Sequence, residues 1–136
     1  MSESCLFCQI VNHQKTAFIL DENEGAVAIL DAFPVSDGHT LLVSRQHFAN
    51  IVEVDTTSWN YFLPLMKNIL TKLQTNLSAQ GFNIISNVGE IAYQSIFHLH
   101  IHIIPKYEKK HGFLWNNQPQ LKYSLPEVAQ KLKEKK

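Results

Sequence analysis

Three histidines at every second position, His98, His100 and His102, alternate with Leu99, Ile101 and Ile103 in the stretch 97–105. Successive side chains on a β-strand point to opposite faces, so a strand here gives one face of imidazoles and one of aliphatic groups. A face that only met water would carry Thr, Lys or Glu. Three imidazoles about 7 Å apart instead place groups that titrate near neutral pH, bind metals and act as bases. A polar face that is histidine by chance is the plainer alternative, and strict alternation of an uncommon residue speaks against it. The site is therefore expected on this strand, with one face core and the other chemistry. Cys5 and Cys8 stand one helical turn apart, where two thiolates converge; metal binding, redox chemistry and inert thiols are the uses open to them.

The elements that must position these groups follow from local patterning. Leu6, Ile10 and Val11 suit one or two helical turns over 5–12. Short apolar runs at 17–20 and 26–30, separated by Asp-Glu-Asn-Glu-Gly, predict a β-hairpin. The segment 31–38 is a loop with Pro and Gly punctuation, 39–44 a third strand, and 45–47 leaves the sheet. Trp59, Phe62, Leu63, Met66, Ile69, Leu70, Leu73 and Leu77 recur at three and four, predicting the main helix over 55–80. Asp55 or Thr56 caps its start, Pro64 bends or splits it beyond its first turn, and Gly81 stops it. A fourth strand at 82–86 and a polar loop at 87–95 lead into the histidine strand. Residues 106–119 are basic and irregular, and Ser124-Leu-Pro-Glu127 has the spacing of a capping box opening a terminal helix.

At 136 residues, 45% hydrophobic and 18% charged, the chain has the composition of one ordinary globular domain. Twelve basic residues balance twelve acidic ones, so nothing holds a polyanion, and nucleic acid or an anionic membrane surface is not expected as a partner. The start Met-Ser-Glu-Ser-Cys has no basic leader and no long apolar segment follows, so a cytoplasmic protein is expected. Two closely spaced cysteines are too few to staple the domain.

Asn87, Ala92, Gln94 and Ile96, followed by His98-Leu-His100-Ile-His102-Ile-Ile-Pro105, resemble the signature of the histidine triad (HIT) family. The likeness runs over about residues 5–107 and takes in Cys-x-x-Cys, Leu-Asp-Ala-Phe-Pro, Gly38-His39-Thr and the His47 segment. It implies an α+β fold, an antiparallel meander sheet of about five strands with one main helix, and sheets joined across a homodimer. Residues 1–107 are then the HIT domain, and 108–136 a C-terminal extension with a short helix, part of the same domain. The implied activity is on nucleotides, through a nucleotidyl-histidine intermediate.

The resemblance makes His100 the nucleophile, whose neutral imidazole needs no further activation near pH 7. Its other ring nitrogen is expected to donate to a backbone carbonyl. His102 would sit against the phosphate oxygens, and His39 is similar to a fourth histidine that supports the triad. Gln94 and Ser95 resemble a phosphate-binding pair, Ser95 with a hydroxyl able to pass a proton to the leaving group, and Asn87 another polar contact of that pocket. Asp31 has the acceptor-only carboxylate that two ribose hydroxyls need, and the likeness makes it the ribose ligand. Leu6, Phe7, Ile10 and Ile29 either line an apolar slot for the base or are simply core. Cys5, Cys8, His47 and His98 have the ligand types and number of a closed zinc site, and the zinc-binding bacterial-type branch looks similar at these positions. His98 facing metal while His100 faces substrate is awkward on one strand face unless its ring swings toward the N-terminal segment. The reading is a hydrolase or transferase attacking the α-phosphorus of a nucleoside phosphoramidate, nucleoside polyphosphate or dinucleoside polyphosphate. A nucleotide-binding sensor without turnover, or a zinc-binding interaction module, are the alternatives.

Overall fold

The computed structural model describes residues 4–134. Residues 1–3 of the Met-Ser-Glu-Ser-Cys start, and 135–136 at the end of the C-terminal extension, lie outside the described residues. The sheet comprises β1 (Ile19–Glu22), β2 (Ala26–Leu30), β3 (Thr40–Ser44), β4 (Gly81–Ile85) and β5 (His100–Lys106), all antiparallel, in the spatial order β1-β2-β3-β5-β4. Strands β1 to β3 form a meander; the chain then crosses over to lay β4 on the far edge and returns β5 between β3 and β4. Two Asn23 bonds tighten the first hairpin, its side-chain oxygen accepting the N–H of Gly25 at 3.0 Å and of Ala26 at 2.9 Å. That turn is shorter than the five-residue one expected, and Asp21 and Glu22 join the ladder opposite Ala28 and Val27.

The main helix is two. α2 (Thr56–Trp59) is capped by Asp55, whose carboxylate accepts the Ser58 N–H at 2.8 Å, and α3 (Phe62–Leu77) follows after Asn60 and Tyr61. The break comes before Pro64 rather than at it. A continuous helix would press the proline ring against the carbonyl four residues earlier, on Asn60, so the chain breaks there and Pro64 sits harmlessly in the first turn of α3. The helix also ends before Gly81: Ser78 takes the left-handed conformation at φ 62° and returns its N–H to the Leu73 carbonyl, leaving Gly81 to open β4.

Both faces of the sheet carry packed side chains, and along the histidine strand the aliphatic side chains turn to one face and His100 and His102 to the other. On one face Ala26, Ala28, Leu42, Leu99, Ile101 and Ile103 pack against Phe62, Leu65, Ile69 and Leu73 of α3. On the other, Val27, Ile29, Leu41 and Val43 pack against Phe7, Ile10 and Val11 of α1 (Leu6–Val11). That short helix covers only part of its face, and the remainder carries His100 and His102, paired with Val43 and Leu41. Gly38, at φ 87°, lets the loop before β3 run so close to α3 that a Cβ would meet the Leu73 side chain at 2.6 Å. The terminal helix α4 (Leu125–Lys133) has the expected capping box between Ser124 and Glu127, and none of its residues is buried. No helix among the described residues is long and apolar enough to cross a membrane.

Candidate functional site

The histidine strand is shorter than its sequence pattern. β5 begins at His100; before it, Leu99 donates its N–H to the Phe48 carbonyl at 2.7 Å and accepts the Ser44 N–H at 3.2 Å, holding 98–99 outside the ladder. His98 is thereby freed from the strand face and fully buried, and its ring turns to the N-terminal segment. The awkwardness of three imidazoles with two tasks on one face disappears.

A carbonyl oxygen only accepts hydrogen bonds, so it fixes which nitrogen of a neighbouring imidazole carries the proton. The His98 carbonyl lies 2.7 Å from His100 Nδ1, which must donate, leaving the lone pair of a neutral His100 on Nε2. The Ser44 carbonyl lies 2.7 Å from His98 Nε2, which leaves that ring's lone pair on Nδ1 instead. At His39 the Val35 N–H donates to Nδ1 at 3.1 Å, so the His39 proton is on Nε2, 3.0 Å from His102 Nδ1. His102 accepts there, and its own proton sits on Nε2. Asp31 stands behind this chain with Oδ2 3.4 Å from His39 Nε2, while its Oδ1 accepts the Phe33 N–H at 2.8 Å.

Burial keeps these rings neutral. It pushes His102 down to about 4, with His100 and His39 acting in the same direction against the opposing pull of Asp31. Desolvation likewise lowers His100, against its bond to the His98 carbonyl and the Asp31 charge, and lowers His39 against Asp31. His100 and His102 thus sit side by side, ring centroids 5.2 Å apart, one with a free lone pair and the other with an outward N–H.

Cys5, Cys8, His47 and His98 converge, their ligand atoms all within 4.8 Å of one another. Cys5 Sγ is 3.3 Å and Cys8 Sγ 3.4 Å from His98 Nδ1, and Cys8 Sγ is 3.1 Å from His47 Nδ1. In a tetrahedral zinc site thiolate and imidazole donors stand about 3.5 Å apart, so the donor set and its spacing fit that ion. The Ser44 carbonyl supplies the outer-shell hydrogen bond that presents Nδ1 of His98 to a metal.

Other expected residues have different surroundings. Gln94 is buried, its Oε1 accepting the Gly89 N–H at 2.9 Å and its amide donating to the Ala49 carbonyl at 2.7 Å and the Ile96 carbonyl at 3.2 Å. It braces the loop before the histidines, with both amide protons engaged there. Ser95 itself is exposed. Asn87 lies two residues past the end of β4, whose last ladder pair is Ile85 with His102. Of the residues considered for a base slot, Phe7, Ile10 and Ile29 are buried core and Leu6 is half-buried. The Phe7 ring meets His100 edge-on at 4.9 Å and His98 at 5.9 Å, holding both. The backbone carbonyl expected behind His100 is that of His98; what the sequence missed are the other backbone partners, the Ser44 carbonyl and the Val35 N–H. No residue type signals them.

A family model described as HIT domain matches residues 12–109. An uncharacterized HIT-like protein of Mycoplasma genitalium is 43% identical over 135 residues, covering 99% of this chain and 96% of that protein. A Schizosaccharomyces pombe protein named adenosine 5'-monophosphoramidase is 33% identical over 136 residues, covering 96% of this chain and 99% of that protein. Among solved structures, a zinc-bound histidine triad family protein from Mycobacterium smegmatis matches with a TM-score of 0.75 at 30% identity, over 85% of this chain and 84% of that one. The chain belongs to the HIT domain family.

Proposed function

We propose that the protein transfers a nucleotidyl group to His100 and then to water. Nε2 of His100 attacks the α-phosphorus; a P–N bond forms, the bond to the leaving group breaks, and water then breaks the P–N bond to release a nucleoside monophosphate. The observation that carries this reading is the opposite locking of two adjacent rings, a free lone pair on His100 Nε2 beside an N–H on His102 Nε2. A nucleophile and a donor to the phosphate oxygens are what in-line displacement requires, held without reorganisation. The phosphoramidase name of the S. pombe relative supports a nucleotide substrate. Asp31 holds the ribose hydroxyls, Asn87 and Ser95 meet the phosphate, and Ser95 protonates an amine leaving group.

Cys5, Cys8, His47 and His98 hold a zinc ion in a structural role, in keeping with the fit of the donor set and the zinc-bound M. smegmatis neighbour. The ion would tie α1 to the segments leaving β3 and entering β5. Thiolates held by zinc at Cys5 and Cys8 suit a reducing cytoplasm. The sheet edges β1 and β4 are the strands through which two copies would join. Stereochemistry at a chiral phosphorothioate substrate tests the double displacement: two in-line steps give net retention. Inversion would mean direct attack by water and make His100 a general base.

A further inference from the structure

Past His102 the same face of β5 continues through Ile104 to Lys106, while Ile101 and Ile103 turn to the α3 core. Asn83 of β4 pairs with Ile104, which sets it on the histidine face, one strand pair or about 7 Å beyond His102. Lys106 folds the following segment back: its ammonium donates to the carbonyls of Lys109 at 2.9 Å, His111 at 2.5 Å and Phe113 at 2.6 Å, using all three protons. The segment closes a cavity of about 430 Å³ against Asn83, with Lys109, Lys110, Phe113 and Trp115 on its walls.

Two features of this cavity have no use within the fold. Asn83 Oδ1 is buried with no hydrogen-bond partner among the described residues, a costly state for an amide. Lys109 and Lys110 are exposed cations, no carboxylate lines the cavity, and neighbouring Glu108 is engaged with His111 Nδ1 at 2.8 Å. Trp115 adds a flat apolar face, 81% exposed.

We infer that this cavity is a second nucleotide subsite, which receives the leaving half of the substrate. The inference rests on His100 being the nucleophile. An occupant matching these walls carries phosphate for the lysines, a ring for Trp115 and an N–H or O–H for Asn83; a nucleoside phosphate has all three. When His100 Nε2 bonds to the α-phosphorus of a dinucleoside polyphosphate, the P–O bond to the bridging oxygen breaks and the electron pair leaves on the departing phosphate. That group needs no proton at neutral pH, and Lys109 and Lys110 stabilise its charge. A small amine leaving group must gain a proton and draws nothing from either lysine.

The test compares a dinucleoside tetraphosphate with a nucleoside phosphoramidate of an uncharged aryl amine, both with the same nucleotidyl half. In a Lys109→Glu/Lys110→Glu double variant the ratio of kcat/KM, dinucleotide over phosphoramidate, should fall by about tenfold or more. In Trp115→Ala and in Asn83→Ala it should fall by about threefold or more. A ratio held within about twofold in all three overturns the subsite. A second readout needs no turnover: in Trp59→Phe protein, where Trp115 is the remaining tryptophan, a nucleoside triphosphate should quench its fluorescence saturably, and about tenfold more weakly after the charge reversal. No quenching overturns the subsite as well. Failure of the wider reading looks different: neither substrate leaves a nucleotidyl group on His100 while quenching of Trp115 persists, which supports the cavity and overturns the nucleophile.

Discussion

His98 and His100 are two residues apart, equally aromatic and both buried from most of the solvent, yet their rings are opposite in chemistry. His98 is tied by Nε2 to the Ser44 carbonyl and offers Nδ1 to two thiols; His100 is tied by Nδ1 to the His98 carbonyl and offers Nε2. One end of the segment is a closed ligand cluster that joins chain elements, and the other is an open pair on β5 with His102. The difference teaches that the chemistry open to a histidine here is set by the carbonyl behind it, and that a single interruption of the strand before His100 separates the cysteine–histidine cluster from the His100–His102 pair.

The sharpest way to break the comparison is to remove each ring in turn. His100→Ala should lower turnover by about three orders of magnitude or more with little change in ground-state affinity, because the interaction forms on the way to the transition state. Steady-state kinetics with a separate binding titration checks this. His98→Ala should act instead through the fold, lowering stability together with metal content.

Metal removal gives the next largest effect. Chelation, or Cys5→Ser, should cost about 3 kcal/mol or more of stability, roughly 10 °C in Tm, with elemental analysis falling from one zinc per chain to none. A normally folded protein isolated without zinc would contradict the structural site. Activity per folded molecule should survive chelation better than stability does.

Asp31→Ala should weaken nucleotide binding by about 1.5 to 3 kcal/mol, the range for hydrogen bonds to a charged group, and a deoxyribose analogue should lose much of that penalty. Equal binding of ribonucleotides by variant and parent would remove Asp31 from the ribose contact and leave it as the charge behind His39.

Much of this was legible beforehand. The period-two alternation located the site because its aliphatic half had to be core, and Leu99, Ile101 and Ile103 are. The Cys-x-x-Cys, His47 and His98 set was recognisable by ligand type, whereas its separation from the His100–His102 pair depends on Leu99 bonding to Phe48 and Ser44, main-chain contacts about 50 residues away in sequence. The loop contacts of Gln94 were not legible, because a side-chain amide serves a phosphate or a loop equally well and its partners here are the Gly89, Ala49 and Ile96 backbone groups. The helix break was placed late because proline acts on the carbonyl four residues earlier, so its consequence appears at Asn60.

The smallest expected effect is in pH. His102 has an unfolded value near 6.5 and is pushed down to about 4 in the fold. The unfolded chain therefore binds the proton first; the stabilisation is fully present above about pH 6.5 and lost as pH falls toward 4. Urea unfolding midpoints at pH 7.5 and 5 should show that loss, and His102→Gln should reduce it, the remainder coming from His98, His100 and His39, which burial also lowers. For His100, whose value is also lowered, the acid limb of kcat/KM should lie below the ordinary imidazole range.

The most direct measurement is a rapid quench at neutral or alkaline pH, followed by digestion and mass spectrometry of the peptide that carries 98–102. A nucleoside monophosphate adduct on His100, labile in acid and absent from His100→Ala, is the predicted result. Turnover by the parent with no adduct on His100 at any time point, together with an unimpaired His100→Ala protein, would contradict it.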